Sequence, residues 1–203
     1  MKTQNNSTPP VALTIAGFDP SGGAGVAADI KTFTAFGFFA TAAVTSLTFQ
    51  NTVGVSGATH QTGATVRAQV LPVVEDFSIA CVKTGMLPSR DVIMEVARLF
   101  REIKSLPTPV VDPVVRSTSG FDLIDDAALE ALIKNLFPLA RIVTPNIPEA
   151  ERIIGLSIKD EDGMRAAAHA IRAMGARAVL IKGGHLNGEP LDVLDDEGRV
   201  LNG

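Results

Sequence analysis

Short runs of β-branched and small apolar residues alternate along this chain with longer stretches in which apolar positions recur every three or four residues. The first pattern marks strands and the second amphipathic helices. Strands are predicted over 11–16, 41–49, 79–83, 110–112, 141–144 and 179–182, with an accessory strand over 53–59. Between them the spacing predicts helices over 24–36, 64–77, 91–104, 125–137 and 160–174, a short helix opening at Pro148, and a closing hairpin over 191–201 around Asp196-Glu197-Gly198. In the helix over 91–104, Val92, Val96, Leu99, Phe100 and Ile103 form one continuous stripe. Strands apolar on both faces, alternating with helices, predict an α/β fold: a mostly parallel central sheet flanked by helices, wound with right-handed crossovers. The polar segment 1–10, ending in Pro9-Pro10, is expected to be a flexible leader, and 11–203 a single α/β domain.

Composition narrows the partners. Of 203 residues 46% are hydrophobic and 20% charged, which excludes a disordered chain. Lys plus Arg number 18 against 22 Asp plus Glu, and this net charge of −4 argues against a general grip on nucleic acid or an anionic membrane. The most apolar stretch, 36–49, is interrupted by Thr and Ser and is shorter than the roughly 18 residues of a membrane span. A single cysteine, Cys81, excludes an internal disulfide and suits a reducing, cytoplasmic setting. Lying within an apolar run, it is expected to be a buried core thiol and not a nucleophile. His60, His169 and His185 share no ligand spacing, so no zinc site is expected.

In a parallel sheet, ligands gather beyond the carboxyl ends of the strands, so the residues that follow each apolar run carry the candidate chemistry. The first run is followed by Gly17-Phe18-Asp19-Pro20-Ser21-Gly22-Gly23-Ala24-Gly25. This is not a Walker loop, because Val26 and Ala27 follow Gly25, and the dinucleotide G-x-G-x-x-G spacing is absent as well. Asp19 would repel a phosphate but accepts hydrogen bonds from a hydroxyl or amine, while Ser21 can cap the following helix. The loop therefore suits a neutral hydroxylated or amino substrate; a plain strand-to-helix turn would use the same residues. Gln50 offers a donor and an acceptor to an amidine-like heterocycle, or else caps a loop. Met86, beside Gly85, can wall a flat ring or simply fill the core. Asn146 and Glu149 flank Pro148 at a helix start, where they can face hydrated Mg²⁺ and phosphate oxygens or cap the helix. Asp112, held extended by Pro113, can point toward the same cation. Lys182-Gly183-Gly184 supplies a cation and an approachable backbone near a polyphosphate, or a turn with a solvated lysine.

Together the strings LTIAGFDPSGGAGVAADIKTF, FQNT, KTGML, VVDPVV, TPNIPEA and VLIKGGH resemble the hydroxymethylpyrimidine and phosphomethylpyrimidine kinases of thiamine biosynthesis, in the ribokinase-like superfamily. They occur in family order from Leu13 to His185. The resemblance implies ATP- and Mg²⁺-dependent phosphorylation of a hydroxymethylpyrimidine and then of its monophosphate. Gly17, Asp19, Gln50 and Met86 would bind the pyrimidine alcohol; Asp112, Asn146, Glu149, Lys182 and Gly183 would bind nucleotide and phosphate, with Asp112 and Glu149 facing the metal. It also implies a homodimer. Pyridoxal or pyridoxine kinase activity and a truncated, non-catalytic ligand-binding form are the alternatives. The family pattern continues past the last hairpin into a glycine-rich turn that forms an anion hole, so the chain is expected to lack the C-terminal part of the fold. In the family that turn carries the polar residue at the acceptor hydroxyl, often a cysteine; Cys81, inside a strand well before Asp112, is not that residue, so no catalytic base is assigned. Arg116, where many relatives carry a lysine or a small residue, can still meet phosphate.

Overall fold

The computed structural model describes residues 8–115, 123–184, 191–196 and the backbone of 199–202. Its strands are β1 (Val11–Phe18), β2 (Phe39–Gln50), β3 (Val55–His60), β4 (Ile79–Thr84), β5 (Val110–Val111), β6 (Ile142–Val143), β7 (Ala178–Ile181), β8 (Val193–Asp196) and β9 (Arg199–Asn202). They form one sheet in the order β3-β2-β1-β4-β5-β6-β7-β8-β9. Every neighbouring pair from β2 to β7 is parallel, whereas β3 and the β8–β9 ribbon are antiparallel additions at the two edges. The helices are α1 (Gly25–Ala35), α2 (Gly63–Asp76), α3 (Arg90–Glu102), α4 (Asp126–Ala131), α5 (Ile147–Ile154) and α6 (Glu161–Arg172).

The core follows from the patterning. Leu13 and Ile15 of β1, Val82 of β4 and Ile181 of β7 are fully buried, as are Val66 and Val70 of α2 and Ile93 and Leu99 of α3. Burying each such side chain contributes roughly 1.5–3 kcal/mol. Helix α1 packs against β1 and β2, α2 against β2 and α3, and α6 against α5, β7 and β8. The helix predicted over 125–137 is shorter and changes pitch: after α4 the chain widens into a π turn over Leu132–Leu136 and tightens into a 3-10 turn over Phe137–Leu139. Pro138 is the cause, because it has no N–H to donate and its ring excludes the carbonyl four residues back. Cys81 is half-buried on β4, more accessible than a core thiol, and burial pushes its pKa up, away from nucleophilic character.

Strand β1 lies between β2 on one side and β4 on the other, so the chain leaves it first in one direction and returns in the opposite one. A crevice opens at such a switch point, beyond the carboxyl ends of the strands. The β1–β2 register slips between Ala16 and Gly17, and Phe18 then forms an antiparallel bridge with Gly25, folding the glycine loop back over β1. Gly25 has φ +56°, and a Cβ there would stand 2.1 Å from the Gly17 carbonyl oxygen. Gly22 has φ +75°, but its Cβ would meet only the mobile end of Lys31, at 2.7 Å. Gly25→Ala should therefore cost about 4 kcal/mol or more, and Gly22→Ala about 1–2 kcal/mol. Urea unfolding of both variants checks this, and equal losses would show that crowding at Gly25 is not what shapes the loop.

Candidate active site

One end of the crevice is built on β1, β2 and β4. Asp19, only 5% exposed, accepts on Oδ1 from the Ser21 backbone N–H at 2.7 Å and on Oδ2 from the N–H groups of Gly23 at 3.2 Å and Ala24 at 3.0 Å. The Ser21 hydroxyl lies 2.7 Å and 2.9 Å from the two carboxylate oxygens and donates to them. Burial alone would raise the Asp19 pKa, but hydrogen bonds from Ser21, with smaller contributions from the Gln50 side chain and the Ala24 N–H, hold it below its ordinary value. Asp19 thus organises the loop and satisfies the open start of α1, whose first flanking residue, Ala24, has no side chain able to cap it. The expectation that Ser21 caps the helix is corrected: its hydroxyl serves the Asp19 carboxylate. The expectation of a carboxylate open to substrate is also corrected, because loop donors already engage both oxygens.

Gln50 stands at the end of β2, half-buried and beside Asp19, in an open depression that also includes Asn51, Val53 and Ser56. Met86 is half-buried, and its carbonyl accepts the Thr45 hydroxyl at 2.6 Å. A Cβ on Gly17 would lie 3.5 Å from the Met86 sulfur, so the thioether packs directly against the glycine. The structure therefore brings together all four predicted acceptor-side residues, as two adjoining pairs, Gly17 with Met86 and Asp19 with Gln50.

The other end is electrostatic. Lys182 Nζ donates to Asp112 Oδ1 at 3.0 Å, and the Thr144 hydroxyl reaches the same oxygen at 3.4 Å. Lys182 is held there by its own N–H, which donates to the Pro145 carbonyl at 2.9 Å, and by a parallel bridge to Asn146. Asn146 and Glu149 form a reciprocal capping box at the start of α5: Asn146 Oδ1 accepts the Glu149 N–H at 2.9 Å, and Glu149 Oε2 accepts the Asn146 N–H at 2.8 Å. Of the two readings open at these positions, capping is the one this geometry displays. Glu149 is 3% exposed, and desolvation, reinforced by the negative charge of Asp112, pushes its pKa up to about 7 against the pull of the Asn146 N–H and the Lys182 charge. Gly183 departs from expectation. Its N–H donates to Asp192 at 3.0 Å, and a Cβ there would fall 1.7 Å from the Leu191 carbonyl oxygen, so the chain itself closes over it. The open backbone is at Gly184, where a Cβ would meet nothing within 4 Å.

Sequence reasoning missed Lys83 and Asp29. Lys83 Nζ lies 3.1 Å from Asp29 and 3.7 Å from Asp112, which puts both residues into the electrostatic cluster. The signal was a lysine inside the apolar strand IACVKT and an aspartate within the apolar stretch VAADI. Arg116 and His185 lie outside the described residues.

The fold and the crevice define a ribokinase-like vitamin kinase architecture, and comparison with known proteins gives the family. A family model described as phosphomethylpyrimidine kinase matches residues 19–202. The chain is 48% identical over 185 residues to the thiamine biosynthesis bifunctional protein ThiED of Geobacter sulfurreducens, spanning 91% of this chain and 38% of that protein. It is 43% identical over 189 residues to the hydroxymethylpyrimidine/phosphomethylpyrimidine kinase of Streptomyces coelicolor, covering 93% of this chain and 70% of that one. The solved phosphomethylpyrimidine kinase of Clostridium difficile superimposes with a TM-score of 0.87 at 42% identity, covering 95% and 83% of the two chains. The chain belongs to the phosphomethylpyrimidine kinase family. Pyridoxal kinase of Bacillus subtilis, solved as an ADP complex, has a TM-score of 0.86 at 35% identity, with 96% and 74% covered.

Glu149 makes the site pH-sensitive. Its carboxyl is protonated in the folded protein up to about pH 7, whereas its ordinary value is 4.5. The stability this provides is complete below pH 4.5 and is lost as pH rises through 7. Glu149→Gln keeps the capping acceptor but cannot ionise. Its unfolding free energy relative to the parent should therefore rise by about 2 kcal/mol between roughly pH 5 and 8. Urea unfolding across that range tests this, and a constant difference would remove the assigned cause.

Proposed function

We propose that the protein transfers the γ-phosphoryl group of ATP to the hydroxyl of a hydroxymethylpyrimidine, and then phosphorylates the resulting monophosphate, in thiamine biosynthesis. One observation carries this reading: a hydrogen-bonding pocket around Gly17, Gln50 and Met86 and a carboxylate–lysine cluster stand at the carboxyl ends of adjoining parallel strands of one sheet. The names of the relatives support it. Gln50 reads the ring edge with its amide, Met86 and Gly17 give the ring an apolar seat, and Asp19 keeps the loop in shape around them. Lys182 faces the transferring phosphate. Such positioning and charge neutralisation is the main catalytic resource in phosphoryl transfer.

Among the described residues, no group of three or more His, Cys, Asp or Glu side chains is arranged to hold a metal. Asp112 and Glu149 nevertheless repel each other electrostatically, and two hard carboxylates suit Mg²⁺, which keeps waters and binds one or two carboxylates together with substrate phosphates. These two residues would hold it, and the ion would neutralise charge on the phosphates being transferred. A homodimer suits the exposed apolar edge formed by Phe39, Leu47, Phe49 and Val55 on β2 and β3. A reducing cytoplasmic setting suits the unpaired Cys81.

Pyridoxal is the competing acceptor, favoured by the likeness to the Bacillus subtilis enzyme. Full-length protein incubated with Mg·ATP and each alcohol should phosphorylate the pyrimidine and its monophosphate; turnover of pyridoxal alone would reverse the assignment. Gln50→Ala should raise the pyrimidine KM about tenfold and leave that for ATP within about twofold, while Glu149→Ala should do the reverse. Equal effects on both substrates would refute this division of labour.

A further inference from the structure

Lys83 and Asp29 fall within the strings KTGML and LTIAGFDPSGGAGVAADIKTF, where the resemblance assigns them no role, yet both are placed closely. Lys83 Nζ lies 3.1 Å and 3.2 Å from the two Asp29 oxygens and 3.7 Å from Asp112 Oδ2. The Thr14 hydroxyl donates to Asp29 Oδ2 at 2.6 Å. Thr14 and Lys83 are register partners on β1 and β4, so their side chains rise from the same face of the sheet, beneath α1. The side chains of Asp29 and Lys83 are only 13% and 23% exposed, so water screens the pair weakly.

A lone ammonium at this distance from Asp112 would compete with any cation for its carboxylate. Asp29 is nearer to that ammonium than Asp112 is, and it cancels the charge. The other ammonium on Asp112, Lys182 at 3.0 Å, faces the transferring phosphate in the function proposed above, and Lys83, cancelled by Asp29, then leaves the Asp112 charge unneutralised. We propose that Asp29 cancels the charge of Lys83 and so leaves the Asp112 carboxylate available to a divalent cation carried by the nucleotide. Asp29 is a positioning residue, acting on Asp112 through Lys83. The inference rests on the reading of Asp112 as the cation-facing carboxylate given above.

The test is Mn²⁺ binding to full-length protein in the presence of ADP, followed by electron paramagnetic resonance, with the melting temperature as a check on folding. Asp29→Asn exposes Asp112 to the uncancelled Lys83 charge and should weaken Mn²⁺ binding about tenfold. Adding Lys83→Met to that variant removes the uncancelled charge and should return the affinity to within about threefold of the parent. Lys83→Met alone should bind Mn²⁺ no more weakly than the parent. A purely structural role gives the opposite pattern, with the double variant at least as weak as Asp29→Asn. That result, or an unchanged Asp29→Asn, overturns the inference. Should Asp29→Asn fail to fold, the other two variants decide: tenfold weaker binding in either one overturns it. A parent protein that binds no Mn²⁺ with ADP would refute the underlying reading of Asp112, whereas normal parental binding with the wrong pattern refutes only the inference.

Discussion

Parallel pairing of β1 with both β2 and β4 is the constraint on which the candidate site depends. Antiparallel neighbours would send alternate strand ends to opposite edges of the sheet. Here the ends of β1, β2 and β4 emerge side by side, so Gly17 and Met86, and likewise Asp19 and Gln50, which are far apart along the chain, become neighbours. Parallel connections require helical crossovers, and those helices cover both faces and make the strands apolar. Polar side chains are then tolerated mainly where strands stop. The location of the chemistry and the hydrophobicity of the core have one cause.

The two halves of the crevice solve the problem of buried charge differently. Asp19 is stabilised by donors from its own loop, so its pKa falls despite burial. Glu149 has one backbone N–H and a nearby lysine against it, but desolvation and the charge of Asp112 prevail, so its pKa rises. A carboxylate surrounded by N–H donors serves structure, while one left beside another carboxylate is prepared for a counter-charge. Two aspartates or glutamates that look alike in the sequence are separated by this difference in surroundings.

Much of this was legible in the residues. The alternation of elements and the clustering of Gly17, Asp19, Gln50, Met86, Asp112, Asn146, Glu149 and Lys182 at strand ends follow from hydrophobic period and from the logic of parallel sheets. What escaped depends on three-dimensional partners. No spacing rule shows that Ser21 turns toward Asp19 and away from α1, that Leu191 returns to cover Gly183, or that Lys83 reaches Asp29 across 54 residues of chain. The pitch change before Pro138 was available from the proline itself, which stands just past the end of the helix predicted over 125–137.

The capping box of α5 has one more consequence. Glu149 holds the first turn of the helix through Asn146 and stands beside Asp112 with the same carboxyl group. Scaffold and site are therefore not separable inventories of residues at this point. Drift at position 149 is restricted twice, once by the geometry of a helix start and once by the charge of the crevice, so few side chains satisfy both demands.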